Sequence, residues 1–104
     1  MGKQKEYKAI LIVTEDNLFL TYCLQFILFK FPHLFIERSF GIEDFSVIIT
    51  ELIKEEFQSC LVIIDHKTKG NELLHFDRFI ESIKNELVIE VQLGLDEYYE
   101  FQEV

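Results

Sequence analysis

The chain has few of the residues that build covalent or metal-bound scaffolds. Only two cysteines occur among its 104 residues. Cys23 lies within an apolar helical run and Cys60 at the start of an apolar strand, a setting that predicts small buried side chains rather than a disulfide or a zinc site. We also identify no signal peptide ahead of the predicted fold. These features predict a protein of the reducing cytoplasm.

Basic residues are scarce as well. The chain contains 10 Lys and Arg against 19 Asp and Glu, which gives a formal net charge of −9 at pH 7. Nonspecific affinity for nucleic acid comes from Lys and Arg side chains that displace counterions from the phosphates. The charge therefore argues against direct binding of nucleic acid by this chain.

Motifs for nucleotide binding and for common catalytic chemistry are missing. The scattered glycines do not form a phosphate-cradling loop. His66 and His75 stand nine residues apart, a spacing that matches no helical or hairpin pair of metal ligands. Neither cysteine has a base within sequence reach that would make it a nucleophile. We therefore predict that the chain is not an enzyme.

No hydrophobic run is long enough for a membrane span. The longest, Leu18 to Phe29, has about 12 residues, whereas a helix needs roughly 20 to cross a bilayer. Lys30 and Pro32 follow it at once. We predict a buried or partner-covered helix and no membrane association. With 104 residues, 49% of them hydrophobic, the chain is expected to form one domain over residues 1–104 and to bury a core without cross-links.

Apolar runs and helical periodicities alternate along the chain. Strands are predicted at about 8–13, 33–40, 61–64 and 87–93. Helices are predicted between them: one from the Thr14–Asn17 loop to Lys30, ended by Pro32; one with apolar positions Phe45, Ile48, Ile49, Leu52, Ile53 and Phe57; and one at about 73–85. The segment after Gly94 is either a short helix or a frayed tail. This order predicts an α/β fold, a three-layer doubly wound parallel sheet with helices on both faces.

Acidic residues follow two of the predicted strands. Glu15 and Asp16 come after the first strand, and Asp65 comes directly after the third. If those strands are neighbours, the three carboxylates meet at the carboxyl edge of the sheet, where open α/β sheets bind ligands. Such a set could hold Mg²⁺, which takes carboxylate and water oxygens. Simpler interpretations remain: solvated loop acids, and an Asp65 that caps the following turn.

These segments resemble the receiver domain of bacterial two-component response regulators. "ILIVTEDNLFL" is similar to the family's first strand and the acids after it, and "LVIIDHKTKG" to the strand that ends on the phosphoacceptor aspartate, with a glycine five residues later. The resemblance covers about residues 8–93. It implies a receiver (flavodoxin-like) fold, with Asp65 as the phosphoacceptor and Gly70 as the loop glycine.

Departures from the family pattern indicate a degenerate or truncated receiver with an incomplete carboxyl-terminal end. Without a gap, Thr14 falls on the first acidic position and Glu15 on the second. Lys69 replaces the usual proline, and Gln92 stands where the family has a Ser or Thr. The chain also stops about 39 residues after Asp65, before a fifth strand and its lysine. Phosphoryl transfer to a carboxylate needs Mg²⁺ and a cation, so these departures predict that phosphorylation is lost.

The first predicted helix is apolar around nearly its whole circumference. Thr21, Gln25 and Lys30 are the residues it leaves for water. We expect a second helix or a partner subunit to cover its outer side. The predicted interface consists of Leu18, Phe19, Leu20, Tyr22, Phe26 and Phe29. The family resemblance also implies assembly through helix faces.

Three functions are consistent with these features. The first is a regulatory protein-interaction domain, similar to a receiver, that works without phosphorylation. It would act as a homodimer, or as part or partner of a transcription regulator of the LuxR type. The second is a working receiver that autophosphorylates at Asp65 with Mg²⁺ as cofactor. The third is a small structural protein whose sheet binds no ligand.

Overall fold

In a computed structural model of the chain, described for residues 9–30 and 35–94, strands and helices alternate. For residues 29 and 30 the description covers the backbone alone. The elements are β1 (Ala9–Val13), α1 (Asn17–Lys30), β2 (Phe35–Ser39), α2 (Ile42–Lys54), β3 (Ser59–Ile64), α3 (Gly70–Ser82) and β4 (Val88–Leu93).

The four strands form one parallel sheet in the order β2-β1-β3-β4. The chain leaves β1 towards β2 and then crosses back to β3, so the direction of winding reverses beside β1. This reversal places α1 on one face of the sheet and α2 and α3 on the other, as right-handed crossovers require. The arrangement is a doubly wound, flavodoxin-like α/β fold and confirms the predicted fold class.

The larger core lies between the sheet and helices α2 and α3. Phe45 is at its centre: its ring centroid lies 4.9 Å from that of Phe76 and 5.7 Å from that of Phe79, both in edge-to-face geometry. Ile49 and Leu52 follow Phe45 at helical spacing and are buried too. Central strands supply the facing side chains because alternate residues of each strand point to this face.

The smaller core lies between the sheet and α1. Phe19, Cys23 and Ile27, at four-residue spacing, pack against strand residues that include Ile12 and Ile63. Cys23 and Cys60 are both free and buried, as predicted, and burial raises the pKa of each thiol to about 12. Within the described ranges, no helix has the length and apolar character needed to cross a bilayer.

Three helix ends differ from the sequence-based prediction. Helix α2 ends at Lys54, so Phe57 packs against the core from the turn that follows. In that turn Phe57 N–H donates to Leu52 O and Glu56 N–H to Ile53 O, a Schellman motif that stops the helix. Helix α3 begins at Gly70 rather than Leu73, because Lys69 O accepts the N–H of Leu73. It ends at Ser82 rather than Asn85, because Ile83 N–H and Glu86 N–H donate to the oxygens of Ile80 and Ile83, three residues back, in a turn.

Some predictions concern residues outside the described ranges. These are the polar leader before the first strand, the end of the first helix at Pro32, the start of the second strand at His33, and the segment after Gly94. The predicted interface role of Phe29 also falls outside, since its side chain is not described.

Candidate functional site

The carboxyl ends of β1 and β3 meet at the point where the winding direction reverses, which is where doubly wound sheets bind ligands. Thr14 follows β1 and donates its N–H to Ser39 O (2.9 Å). Asp65 follows β3 and donates its N–H to Val13 O (2.9 Å). Both side chains are buried, with 3% and 5% of their surface exposed. Sheet pairing therefore fixes Thr14 and Asp65 side by side, one residue beyond the strands.

The carboxylate of Asp65 is bound by groups of this chain. The Thr14 hydroxyl donates to Asp65 Oδ2 over 2.7 Å. The backbone N–H of Lys67 donates to Asp65 Oδ1 over 3.1 Å, and His66 Nδ1 lies 3.4 Å from the same oxygen. Thr68 N–H donates to the backbone oxygen of Asp65 (3.0 Å). Asp65 thus caps the turn after β3 and also lies at the ligand-binding edge.

Asp16 has a different role, as the N-cap of α1. Its Oδ1 accepts the backbone N–H of Leu18 (2.9 Å) and, more weakly, that of Phe19 (3.4 Å). Its Oδ2 accepts Lys67 Nζ (3.1 Å), and this hydrogen bond is the main cause of a lowered Asp16 pKa. The N–H of Asp16 donates to the Thr14 hydroxyl oxygen (2.9 Å). The Thr14 hydroxyl therefore joins the two loops.

The end of β2 contributes Arg38, which the sequence analysis did not identify. Its Nε donates to the backbone oxygen of Thr14 (2.9 Å) and its Nη1 to Asn17 Oδ1 (3.0 Å). The guanidinium carbon lies 3.9 Å from the centroid of the Phe40 ring, within cation–π range. The same strand-end argument that selected Asp65 would have found Arg38, since β2 ends at this edge too.

A small cavity opens beside these residues. Its volume is about 220 Å³, below the roughly 300–1,000 Å³ of typical small-molecule pockets. It mixes acidic and basic side chains, and one of the acids, Asp16, is already paired with Lys67. The cavity is lined by Val13, Thr14, Glu15, Asp16, Phe40, Gly41, Asp65, Lys67, Thr68, Lys69, Glu72 and Phe76.

The three predicted metal ligands line the same cavity, but their carboxylates do not converge on one point. Asp65 faces Thr14, Asp16 faces helix α1 and Lys67, and Glu15 is exposed. In the described parts of the chain, no three His, Cys, Asp or Glu side chains are placed to hold a metal ion. The reason is local: the residue of the β1 loop that faces β3 is a threonine. Mg²⁺ binding stays a prediction.

The predicted interface on α1 needs one correction. Phe19 is 1% exposed and belongs to the core beneath the helix, so it is not available to a partner. Leu18, by contrast, exposes 72% of its surface. Leu20, Tyr22 and Phe26 are half-buried and pack against the same core. The sequence could not separate these residues, because apolar side chains surround the whole helix.

Gly70, predicted as a loop glycine, is the first residue of α3. A Cβ atom added there would meet no atom within 4 Å. Nothing in its described surroundings therefore requires glycine.

No protein-family model matches the chain. Comparison with curated proteins and with solved structures also returns no match.

Proposed function

We propose that the chain is a regulatory protein-interaction domain that resembles a response-regulator receiver and works without phosphorylation. The strongest support comes from the hydrogen bonds of Asp65: both of its carboxylate oxygens accept hydrogen bonds from groups of the same chain. The resemblance rests on the quoted motifs and on the fold.

Phosphorylation of a carboxylate requires that the attacking oxygen be accessible and that nearby positive charge balance the incoming phosphoryl group. Asp65 is 5% exposed, and the group on its Oδ2 is a neutral hydroxyl. Of the two lysines after it, Lys67 is engaged with Asp16. These contacts stabilise the loops at the sheet edge and favour an architectural role for Asp65.

A domain without this chemistry would signal through contacts with another protein. The net charge of −9 disfavours nucleic acid as the partner. Leu18 and Leu28 on α1 expose 72% and 50% of their surface, so this helix offers apolar area to a protein. The proposed partners are a second copy of the chain or a transcription regulator, of the LuxR type or similar.

The test is incubation with Mg²⁺ and either acetyl phosphate or beryllium fluoride, followed by mass measurement and amide chemical shifts. We expect no phosphoryl adduct on Asp65 and no shift changes around Thr14 and Lys67. Asp65→Asn is the matched control, since acetyl phosphate can also acetylate Lys67 and Lys69. Stoichiometric modification confined to Asp65 would overturn the proposal and establish the alternative, a Mg²⁺-dependent phosphoacceptor.

A further inference from the structure

Strand β4 is an outer strand of the sheet that the described residues form. Among the described residues it pairs with β3 on one side, and its other side carries no strand. Val88, Val91 and Leu93 expose 68%, 43% and 55% of their surface. The sequence VIEVQL has one charged residue, Glu90, and has no Lys or Pro, which are common at protected edge strands.

The unpaired backbone groups of β4 can be identified. Val88 N–H donates to Gln58 O (3.1 Å) and Gly94 N–H to Ile64 O (2.6 Å) on the β3 side. Backbone direction alternates along a strand, so the N–H and C=O groups of Ile89, Val91 and Leu93 point away from β3. These residues form a row of donors and acceptors along the open edge.

We propose that β4 pairs antiparallel with β4 of a second copy of this chain, with Val91 opposite Val91. With a two-fold axis perpendicular to the sheet, each face of one copy's sheet continues into the same face of the other copy's sheet. The residues whose backbone groups point away from β3 then lie opposite one another. Two alignments of the paired strands place the two-fold axis near the middle of β4: one with the axis at Glu90 and one with the axis at Val91. The first sets Glu90 directly against its own copy, and like charges in that position are destabilising.

The register centred on Val91 is self-complementary. Ile89 lies opposite Leu93 on the α2 and α3 side, where Ile89 already packs against the larger core. Glu90 lies opposite Gln92 on the α1 side. The Gln92 amide donates one N–H to Gly94 O (3.0 Å), and its second N–H can donate to the partner's carboxylate. Ile89, Val91 and Leu93 each exchange backbone hydrogen bonds with the partner strand. In this register β4 is complementary to a second β4 in backbone hydrogen bonds and in side-chain pairing, and this inference does not depend on the proposed function.

Sedimentation velocity tests the pairing directly. We expect the unmodified chain to form a dimer, and Val91→Lys to give a folded monomer, because two lysines would meet across the axis. Val47→Lys is the matched control: Val47 is 64% exposed on α2 and should leave the dimer intact. A monomeric unmodified chain would overturn the proposal, as would a dimer that survives Val91→Lys or that is lost equally in Val47→Lys.

A cross-link tests the register. Opposed residues of a hydrogen-bonded antiparallel pair have Cα atoms about 5.5 Å apart, close enough for a short bifunctional thiol reagent to join two cysteines. Val91→Cys should therefore yield a covalent dimer with such a reagent, whereas Val47→Cys and the unmodified chain, whose two cysteines are buried, should not. Absence of the cross-link in a folded Val91→Cys chain would contradict the register. If the link formed only after residues 95–104 were removed, that segment would be what covers the edge of β4 in the full chain, and the proposal would be wrong.

Discussion

Strands β3 and β4 are neighbours of equal length and similar apolar character, yet they differ in burial. Their sequences are SCLVII and VIEVQL. Val62 and Val91 pair in the same row of the sheet, but Val62 is 0% exposed and Val91 is 43% exposed. Strand β3 has a neighbour on each side, and its residues belong to the core beneath α1 on one face and to the core beneath α2 and α3 on the other. The difference shows that position in the sheet, more than side-chain hydrophobicity, decides which residues form the core.

The largest expected effect concerns the core beneath α1, where Phe19 packs on the central strands. Phe19→Glu would bury an unpaired carboxylate, and we expect a loss of about 4 kcal/mol or more in the free energy of unfolding. Leu18→Glu, one residue earlier and 72% exposed, should stay within about 0.5 kcal/mol. Urea unfolding followed by circular dichroism measures both. Equal losses would show that Leu18 is covered as well.

Val62 of β3 and Val91 of β4 are paired neighbours in the sheet, so the same Val→Ala substitution can be compared in both strands. Val62→Ala should cost about 2–3 kcal/mol, through lost burial and the cavity left behind. Val91→Ala should cost less than about 1 kcal/mol in dilute protein, since its surface is already partly in water. Chemical denaturation at low protein concentration gives both values. A Val91→Ala cost as large as that of Val62→Ala would mean that β4 is covered even in the monomer.

The junction between the two central strands depends on the Thr14 hydroxyl. Thr14→Val removes its hydrogen bond to the buried Asp65 and leaves the Asp16 N–H without this acceptor. We expect a loss of about 1–3 kcal/mol in stability. Thr50→Val is the control, because that hydroxyl is exposed and bonds the Ser46 backbone oxygen of its own helix (2.7 Å). Similar losses in thermal unfolding of both variants would argue against a special role for Thr14.

The turn that leads into β3 carries a strained residue. Glu56 has φ 64°, in the left-handed region that favours glycine. Glu56→Gly should raise the free energy of unfolding by about 0.5–1 kcal/mol, because relief of strain exceeds the entropy gained by the unfolded chain. Glu55→Gly, at the helix end with φ −84°, should not stabilise the protein. Denaturation midpoints of the two variants decide between these outcomes.

The smallest effect concerns the exposed pair formed by Lys67 and Asp16 (3.1 Å). Asp16 has a lowered pKa in the folded chain, so its contribution to stability is present at neutral pH. That contribution is lost as the pH falls through the folded pKa. Lys67→Met should raise the Asp16 pKa and cost less than about 1 kcal/mol at neutral pH, with the difference vanishing in acid. Titration of the Asp16 carboxyl by NMR measures this. An unchanged pKa would show that Lys67 is not its partner.

The candidate site was only partly predictable from the sequence. The motif after β3 identified Asp65 because a carboxylate that ends an apolar strand must lie at the edge of the sheet. The partner of Asp65 could not be identified in the same way. Thr14, rather than Glu15, faces it because the chain turns away directly after β1, and Arg38 joins the site from a third strand.

The sequence by itself determined the alternation of strands and helices, the buried state of Cys23 and Cys60, and the acidic surface. Each of these follows from local periodicity or from composition. Only the tertiary structure decided that Phe19 is core while Leu18 is exposed, that Asp65 is held by Thr14, and that β4 is an outer strand of the sheet in the described part of the chain. Those features depend on which strands become neighbours, and pairing between segments some 50 residues apart is not encoded in the pattern of either segment alone.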